Sequence, residues 1–351
     1  MDERENILRA MRFEKPERIH MRFHISSACW NHYEQSALED LMAAHPLLFP
    51  GFKPREEPYV PDYSPWQRAG KPYTDPWGCV WETAENGITG TVTGYPLADW
   101  DAFESYRAPD PETHWGWGER DWKQHAEWLR GLPARGKVAR DGLRHGHTFL
   151  TLSYIRGYER LIYDMADGEP RLLKLIGMLE DFNVEMVRRL LACGVEVMGY
   201  PEDLGMQRGP MLSPEHFAKY IKPSYDRLMA PAREAGALIH MHSDGDIRDL
   251  ADMLVDSGVQ ALNLQDLVNG IDWIAERFKG RICIDLDVDR QKITRYGTPQ
   301  QIDALIREEV EKLGSPQGGL MMTHGMYYGA PLENVRALMD AMEKYADFHS
   351  G

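Results

Sequence analysis

The sequence contains no long hydrophobic run and few cysteines. No stretch approaches the roughly 18 consecutive apolar residues that a membrane-spanning helix needs. The first residues, "MDERENILRAMRFEKPERI", are charged and lack the apolar segment of a secretion signal. The four cysteines lie far apart and form no CxxC pair, which is typical of a reducing compartment and not of a disulfide framework. We therefore expect a cytoplasmic protein with no membrane partner.

Positive charge is also scarce. The 351 residues include 40 Lys and Arg against 55 Asp and Glu, which gives a formal net charge of −15. A surface that binds nucleic acid or anionic lipid needs a basic patch, so neither is an expected partner. Hydrophobic residues make up 43% of the chain, which is enough for a large core.

From about residue 145 onward, apolar strand-like runs alternate with helical patterns six times. The predicted strands are near-continuous apolar runs, as in parallel sheets whose two faces are both covered. No Gly-rich dinucleotide fingerprint follows any of them, which disfavours an open doubly wound sheet. The chain is thus predicted to be an α/β protein, a single (β/α)8 TIM barrel over residues 1–351. The predicted strands are "RIHMRFH", "HTFLTLSY", "VEVMGY", "ALIHMH", "VQALNL", "RICIDLD" and "GGLMMTHG".

An aromatic-rich insertion of about residues 45–140 interrupts this pattern. Nine of the ten tryptophans lie between Trp30 and Trp128. Within the insertion, "GCVWE" and "GITGTVTGY" have the β-branched and aromatic content of a hairpin. The insertion is either a wall over the barrel mouth, suited to a flat apolar ligand, or ordinary packing under long loops.

Polar side chains collect where the predicted strands end, and in a barrel these ends meet at one mouth. A carboxylate at such a place can also cap the next helix, which is an open alternative for Asp287 and Asp289, and His240 could be a core histidine. We predict His24, Arg156, Gln265 and Asp285 as substrate-binding residues. The full set is His24, Tyr154, Arg156, Glu202, Asp203, His242, Ser243, Asp244, Asn263, Gln265, Asp266, Asp285, Asp287, Asp289, Thr323 and His324.

Two chemistries are open to this set. Glu202, His242 and His324 can form a three-ligand zinc site with one open position, and Asp244 can serve as a fourth ligand or orient a histidine. Zinc there would act as a Lewis acid on an oxygen leaving group. Without a metal, His324 and a carboxylate could instead transfer protons.

These residues and their surroundings resemble the uroporphyrinogen decarboxylase superfamily over nearly the whole chain. The most specific block is the final one, "THGMYYGAPLENVRALMDAMEKY", and "PEDLGMQRGPMLSPEHFAKYIKPSY" and "HSDGDIRDLADML" precede it in order. The resemblance implies one (β/α)8 barrel with its cleft at the carboxyl ends of the strands.

Two branches of the superfamily imply different activities. For the metal-free decarboxylases, Tyr154 and His324 match family residues, but the R-Q-A-G-R motif has no counterpart in "MRFHISSACW". In the corrinoid-dependent methyltransferases zinc is held by an H-x-C pair and a later Cys. Here Asp244 and His324 stand at the two cysteine positions, a donor set that suits an ether oxygen better than a thiol.

We therefore predict a zinc-dependent methyltransferase, an O-demethylase acting on a methoxylated aromatic small molecule. The methyl acceptor would be a corrinoid carried by a partner protein, and the enzyme a monomer or homodimer. Tyr154, Asp203 and His324 are the predicted catalytic residues. The alternatives are a metal-free decarboxylase of a porphyrin-like or other carboxylic acid, and a non-catalytic corrinoid or porphyrin carrier.

Overall fold

The computed structural model describes residues 1–350. Seven parallel strands form one sheet in the order β1-β10-β9-β8-β7-β6-β5, and three short antiparallel strands form a second sheet, β2-β3-β4. The strands are β1 His20–Ile25, β2 Tyr73–Thr74, β3 Val80–Glu82, β4 Thr91–Gly94, β5 Arg140–Gly142, β6 Val197–Pro201, β7 Leu238–Ser243, β8 Ala261–Gln265, β9 Cys283–Asp287 and β10 Leu320–Met326.

The large sheet curls into a barrel. All seven of its strands contribute side chains to the lining of one central cavity, so its two edges, β1 and β5, approach each other. The predicted barrel class is confirmed, with seven parallel strands among residues 1–350 where eight were expected. The part of the chain between β1 and β5 holds the insertion and adds no strand to this sheet.

Helices cover the outside of the barrel. The longest, α7, begins with Pro170 at its first position and ends at Gly194, whose φ of 93° lies in the left-handed region that glycine tolerates. The helices are α1 Glu3–Arg12, α2 Cys29–His32, α3 Gln35–Ala44, α4 Trp122–Arg130, α5 Phe149–Arg156, α6 Tyr158–Asp167, α7 Pro170–Cys193, α8 Pro214–His216, α9 Lys222–Glu234, α10 Ala251–Asp256, α11 Asp266–Asn269, α12 Ile271–Phe278, α13 Ile293–Tyr296, α14 Pro299–Leu313 and α15 Leu332–Tyr345. No helix of the described residues is both long and apolar enough to span a bilayer.

Side-chain alternation in the strands separates an apolar outer layer from a polar interior. In β1, Met21, Phe23 and Ile25 are buried, whereas Arg22 and His24 are exposed to the central cavity. The same alternation turns His240 and His242 of β7 inward, while Met241 belongs to the hydrophobic core.

One predicted strand is wrong. The stretch "HTFLTLSY" contains the start of α5, and the strand at that place in the sheet is β5, whose three residues are Arg140–Gly142. A short apolar run does not distinguish a buried strand from a buried helix, because both bury every position. All residues of α5 except Tyr154 and Arg156 are apolar or small and uncharged. The sequence therefore shows no helical alternation of apolar and polar positions there.

The predicted hairpin in the insertion is confirmed. Strands β3 and β4 pair antiparallel, with Trp81 opposite Val92. Trp117 lies beside Trp66 and Trp81, at ring-centroid distances of 4.5 and 4.9 Å. The tryptophans therefore form a packed aromatic cluster, and Trp81 extends it to Tyr154 of α5 at 4.8 Å.

Candidate functional site

The central cavity has a volume of about 620 Å³ and opens at the carboxyl ends of the strands. Barrel interiors are ordinarily filled by bulky aliphatic side chains, but this one is lined mainly by polar and charged groups. Its lining is Arg22, His24, Arg140, Asp141, Gly142, Leu143, Gly199, Pro201, His240, His242, Asn263, Asp287, Arg290, Thr323, His324 and Gly325.

Two histidines converge on one carboxylate at the rim of this cavity. The Nε2 atoms of His145 and His242 each lie 3.3 Å from Oδ1 of Asp203. The backbone N–H of Asp244 donates to the same oxygen at 3.1 Å. Among residues 1–350 this is the one group of three or more His, Cys, Asp or Glu side chains whose ligand atoms lie within 4.8 Å of one another. We call His145, Asp203 and His242 the rim triad.

The electrostatics of the rim triad favour charge separation. Burial alone would lower the pKa of His242, but its hydrogen bond to Asp203 and the charge of Asp244 outweigh burial and raise that pKa to about 9. Burial alone would likewise raise the pKa of Asp203, but hydrogen bonds from His145 and His242 hold it well below its usual range. In the absence of a metal, Asp203 and His242 therefore form an ion pair at neutral pH.

An arginine holds the two other carboxylates of the rim. Arg290 contacts both oxygens of Asp244 at 2.8 Å and Oδ2 of Asp287 at 2.6 Å. Burial raises the pKa of Asp287 to about 6, although Arg290 counters that rise. Asp244 lies only 3.7 Å from Nε2 of His242, but it is oriented by Arg290.

A second layer lies deeper in the cavity. Nε2 of His240 contacts Oδ2 of Asp285 at 2.7 Å, and a guanidinium nitrogen of Arg140 lies 2.9 Å from Nδ1 of the same ring. Burial, helped by the charge of Arg140, lowers the pKa of His240 to about 4, so this imidazole is neutral at pH 7. Asp285 is 4% exposed and lies behind His240 instead of facing the cavity.

His324 lines the cavity from β10, three strands away from His242. Its ring packs against Phe23 with centroids 5.0 Å apart, and its Nδ1 donates to the carbonyl of Val288 at 3.2 Å. Burial lowers its pKa to about 4, so it is a neutral imidazole. His24 of β1 lines the same cavity.

Glu202, next to Asp203, points away from the cavity. One of its oxygens accepts from the backbone N–H groups of Thr148 and Leu150, at 2.9 and 3.0 Å, and the other accepts from the hydroxyl of Tyr225. The side chain is fully buried, and burial raises its pKa to about 7. The structure thus places Asp203, and not Glu202, beside His242.

Three other predicted site residues also lie outside the cavity lining. Arg156 is buried in an ion pair with Asp164 at 2.8 Å, with its guanidinium over Trp100. Gln265 accepts a hydrogen bond from the backbone of Gly245 at 3.1 Å. Tyr154 lies on α5 against Trp81, with Asp203 and Glu202 near enough to affect its hydroxyl, whose pKa burial raises.

Sequence reasoning missed His145, Arg22, Arg140 and Arg290. Arg140 is the first residue of β5 and His145 follows that strand, which was not recognised from the sequence. Arg290 lies in the loop after β9 and contacts Asp244, which is 46 positions away along the chain. The sequence around neither residue indicates this contact. Arg22 could have been found, because it shares the inward face of β1 with His24.

The fold and this cavity define a parallel-barrel protein with a site of histidines, carboxylates and arginines at the carboxyl ends of its strands. The chain belongs to the uroporphyrinogen decarboxylase (URO-D) family, whose model matches residues 87–345. Among curated proteins, none matches this chain.

Two solved structures are similar to this chain to different degrees. A methyltransferase from Methanosarcina mazei is 15% identical, with a TM-score of 0.65 over 98% of this chain and 99% of that chain. A B12-independent methionine synthase from Shewanella sp. W3-18-1 is 10% identical, with a TM-score of 0.42 over 64% of this chain and 65% of that one. At 15% identity, the likeness to the Methanosarcina mazei methyltransferase establishes the fold alone.

Proposed function

We propose that this protein is a zinc-dependent methyltransferase that removes the methyl group of a methoxylated aromatic compound and passes it to a corrinoid carrier protein. The observation that carries the proposal is the convergence of two imidazole Nε2 atoms on one carboxylate oxygen at the rim of an open, polar cavity. Membership of the URO-D family and the full-length likeness in fold to a methyltransferase support it.

The proposed ligands are the rim triad. His242 is retained from the sequence prediction, whereas Glu202 is enclosed by its own hydrogen bonds, Asp244 is held by Arg290, and His324 lies on a distant strand. Two imidazoles and one carboxylate are a common ligand set for catalytic zinc, with a fourth position left for substrate.

The surroundings of His242 fit a metal ligand. Its Nδ1 contacts Oδ1 of Asn263, whose amide nitrogen in turn donates to the carbonyl of Asp285. That arrangement fixes Oδ1 as an acceptor and places the ring proton on Nδ1, so in the neutral ring the lone pair of Nε2 faces Asp203. A histidine that binds a metal through one nitrogen usually donates from the other in this way.

The rim triad would hold the zinc ion beside the bound substrate. Zinc in the rim triad would supply a Lewis acid for the ether oxygen. The bond between that oxygen and the methyl carbon would break with its electron pair left on the oxygen, and the reduced corrinoid of the partner would supply the electron pair for the new bond to the methyl carbon. Tyr327 is 52% exposed and its ring lies 5.9 Å from the guanidinium of Arg290, which lines the cavity, so such a partner would meet Tyr327 if it approached from this side.

Metal analysis of purified protein tests the proposal. We expect about one zinc per chain and loss of methyl transfer after chelation, restored by added zinc. Asp203→Asn and His242→Ala should lose the metal, whereas Glu202→Gln, the matched neighbour outside the cavity, should keep it. Less than about a tenth of an equivalent of zinc together with full activity after chelation would contradict the proposal.

Family membership favours a second candidate, the metal-free decarboxylation of a porphyrin-like or other carboxylic acid. In that case Tyr154, Asp203 and the neutral His324 would form the site. Release of carbon dioxide from uroporphyrinogen by metal-free protein would establish this activity, and retention of all carboxylates would exclude it for that substrate.

A further inference from the structure

The floor of the cavity holds two guanidinium groups that no carboxylate of residues 1–350 pairs with. Arg22 donates from Nε to the hydroxyl of Thr323 at 3.1 Å, and Arg140 contacts the ring of His240. Both arginines line the cavity. By contrast, Arg290 at the rim is bound by two carboxylates. The floor therefore presents cations to the cavity, although the chain as a whole is acidic.

The charges of the floor do not cancel. Asp285 is the nearby acid, and its carboxylate is taken up by a 2.7 Å contact with the ring of His240. Burial lowers the pKa of Arg140; Asp285 opposes this lowering and the positive charge of Arg22 adds to it. Two guanidiniums against one carboxylate leave an excess positive charge, which an anionic group entering the cavity would neutralise.

The floor lies one layer below the rim triad. Arg140 contacts His240, and His242 follows two residues later on the same strand, which is a rise of about 6.5 Å. This separation is comparable to the length of one aromatic ring with substituents at opposite ends. A ligand of that size could place one end between the arginines and the other at the rim.

We propose that the substrate carries a carboxylate, which Arg22 and Arg140 bind at the floor, while its methoxy group lies at the rim triad. The inference rests on the proposed function, which supplies the identity of the methoxy group at the rim. It specifies the substrate class as methoxylated aromatic acids, because a guanidinium binds a carboxylate through paired, charge-assisted hydrogen bonds.

Calorimetric titration of the purified chain with para-methoxybenzoate and the uncharged para-methoxybenzamide tests this assignment. The acid should bind about tenfold or more tightly than the amide, since hydrogen bonds to charged groups are stronger. Arg22→Gln should abolish that preference without weakening the amide, and Arg22→Lys should restore part of it. Arg307→Gln, which removes a 61% exposed arginine on α14, is the matched control and should keep the preference.

Equal binding of acid and amide by the wild-type protein, or binding of neither, would overturn the assignment, as would an unchanged preference in a folded Arg22→Gln variant. The wild-type comparison needs no variant to fold. Because the titration uses neither zinc nor a corrinoid partner, a preference for the acid without any demethylation would leave the anion site intact and refute the proposed function. Demethylation of the acid and the amide with equal efficiency would refute only the carboxylate assignment.

Discussion

At the cavity rim, the acidic side chains Asp203, Asp244 and Asp287 each contact a histidine or an arginine. In a second acidic region, behind β8 and β9, Glu309 of α14 lies beside Asp266 and near Asp289, and no lysine or arginine of residues 1–350 pairs with Glu309 or Asp266. We call Asp266, Asp289 and Glu309 the rear cluster. Both regions bury carboxylates, but only the rim provides cations for them.

The two regions differ in the ionisation of their carboxyl groups. At the rim, histidine donors keep Asp203 ionised. In the rear cluster, burial and then the charge of Asp266 raise the pKa of Glu309 well above its ordinary value, so Glu309 holds a proton that it can donate to Asp266. Asp289 accepts from the backbone N–H groups of Lys292 and Thr294, so its role is to cap a turn. A cluster of acids therefore indicates a ligand site only where its charges are balanced and open to a cavity.

The largest effect is expected from removing the rim's arginine. Arg290→Met removes the cation that pairs with Asp287, which is 5% exposed, and leaves Asp244 with only His242 at 3.7 Å. We expect unfolding free energy to fall by about 3 kcal/mol at neutral pH, discounted for the partial exposure of Asp244. Urea unfolding measures this, with Arg290→Lys as the charge-conserving control. A loss below about 0.5 kcal/mol would show that the rim does not depend on this cation.

In the rear cluster, a substitution is expected to raise the unfolding free energy instead of lowering it. Glu309→Gln replaces a buried acid by a neutral amide that can donate to Asp266, and should stabilise the protein by about 2 kcal/mol at pH 8. The pKa of Glu309 is higher in the folded protein than in the unfolded chain. The contribution of its proton to the free energy of unfolding is therefore fully present below the unfolded pKa and is lost as pH rises through the folded pKa. The gain from the substitution should therefore shrink as pH falls.

Thermal melts of Glu309→Gln and wild type between about pH 5 and about pH 9 follow this change. The control is Glu311→Gln, an exposed position on the same helix that pairs with Arg307. It should change stability by less than about 0.5 kcal/mol, with no such dependence on pH. Destabilisation by Glu309→Gln at every pH would mean that the acid is compensated within the fold.

Much of the barrel could be predicted from sequence because it depends on local patterns. Apolar runs bounded by glycine and capping residues located six of the seven parallel strands, and the ends of these runs indicated where the mouth of the barrel lies. The position of His242 at the mouth follows from the same pattern. Strand β5 has only three residues, Arg140–Gly142, and carries no periodicity, so His145 was lost with it.

The membership of the rim triad could not be predicted for a different reason. Glu202 and Asp203 follow the last strand residue, Pro201, where alternation no longer dictates direction. Their environments are decided by contacts with α5 and β7, more than 35 positions away along the chain. A carboxylate under a helix N-terminus and one in a cavity look identical in sequence.

The smallest expected effect comes from a substitution at the start of α14, which tests whether the gain from Glu309→Gln depends on charge or on helix stability. Thr298 begins α14 with a capping box to Gln301, and Thr298→Ala should cost about 1 kcal/mol. Glu309 lies eleven positions further along the helix, roughly 16 Å away, so the two substitutions should be additive. In the double variant the pH-dependent gain of Glu309→Gln should therefore persist on a uniformly lowered baseline. If the gain vanished instead, it would arise from the helix and not from the carboxylate, and the contrast with the rim would lose its electrostatic basis.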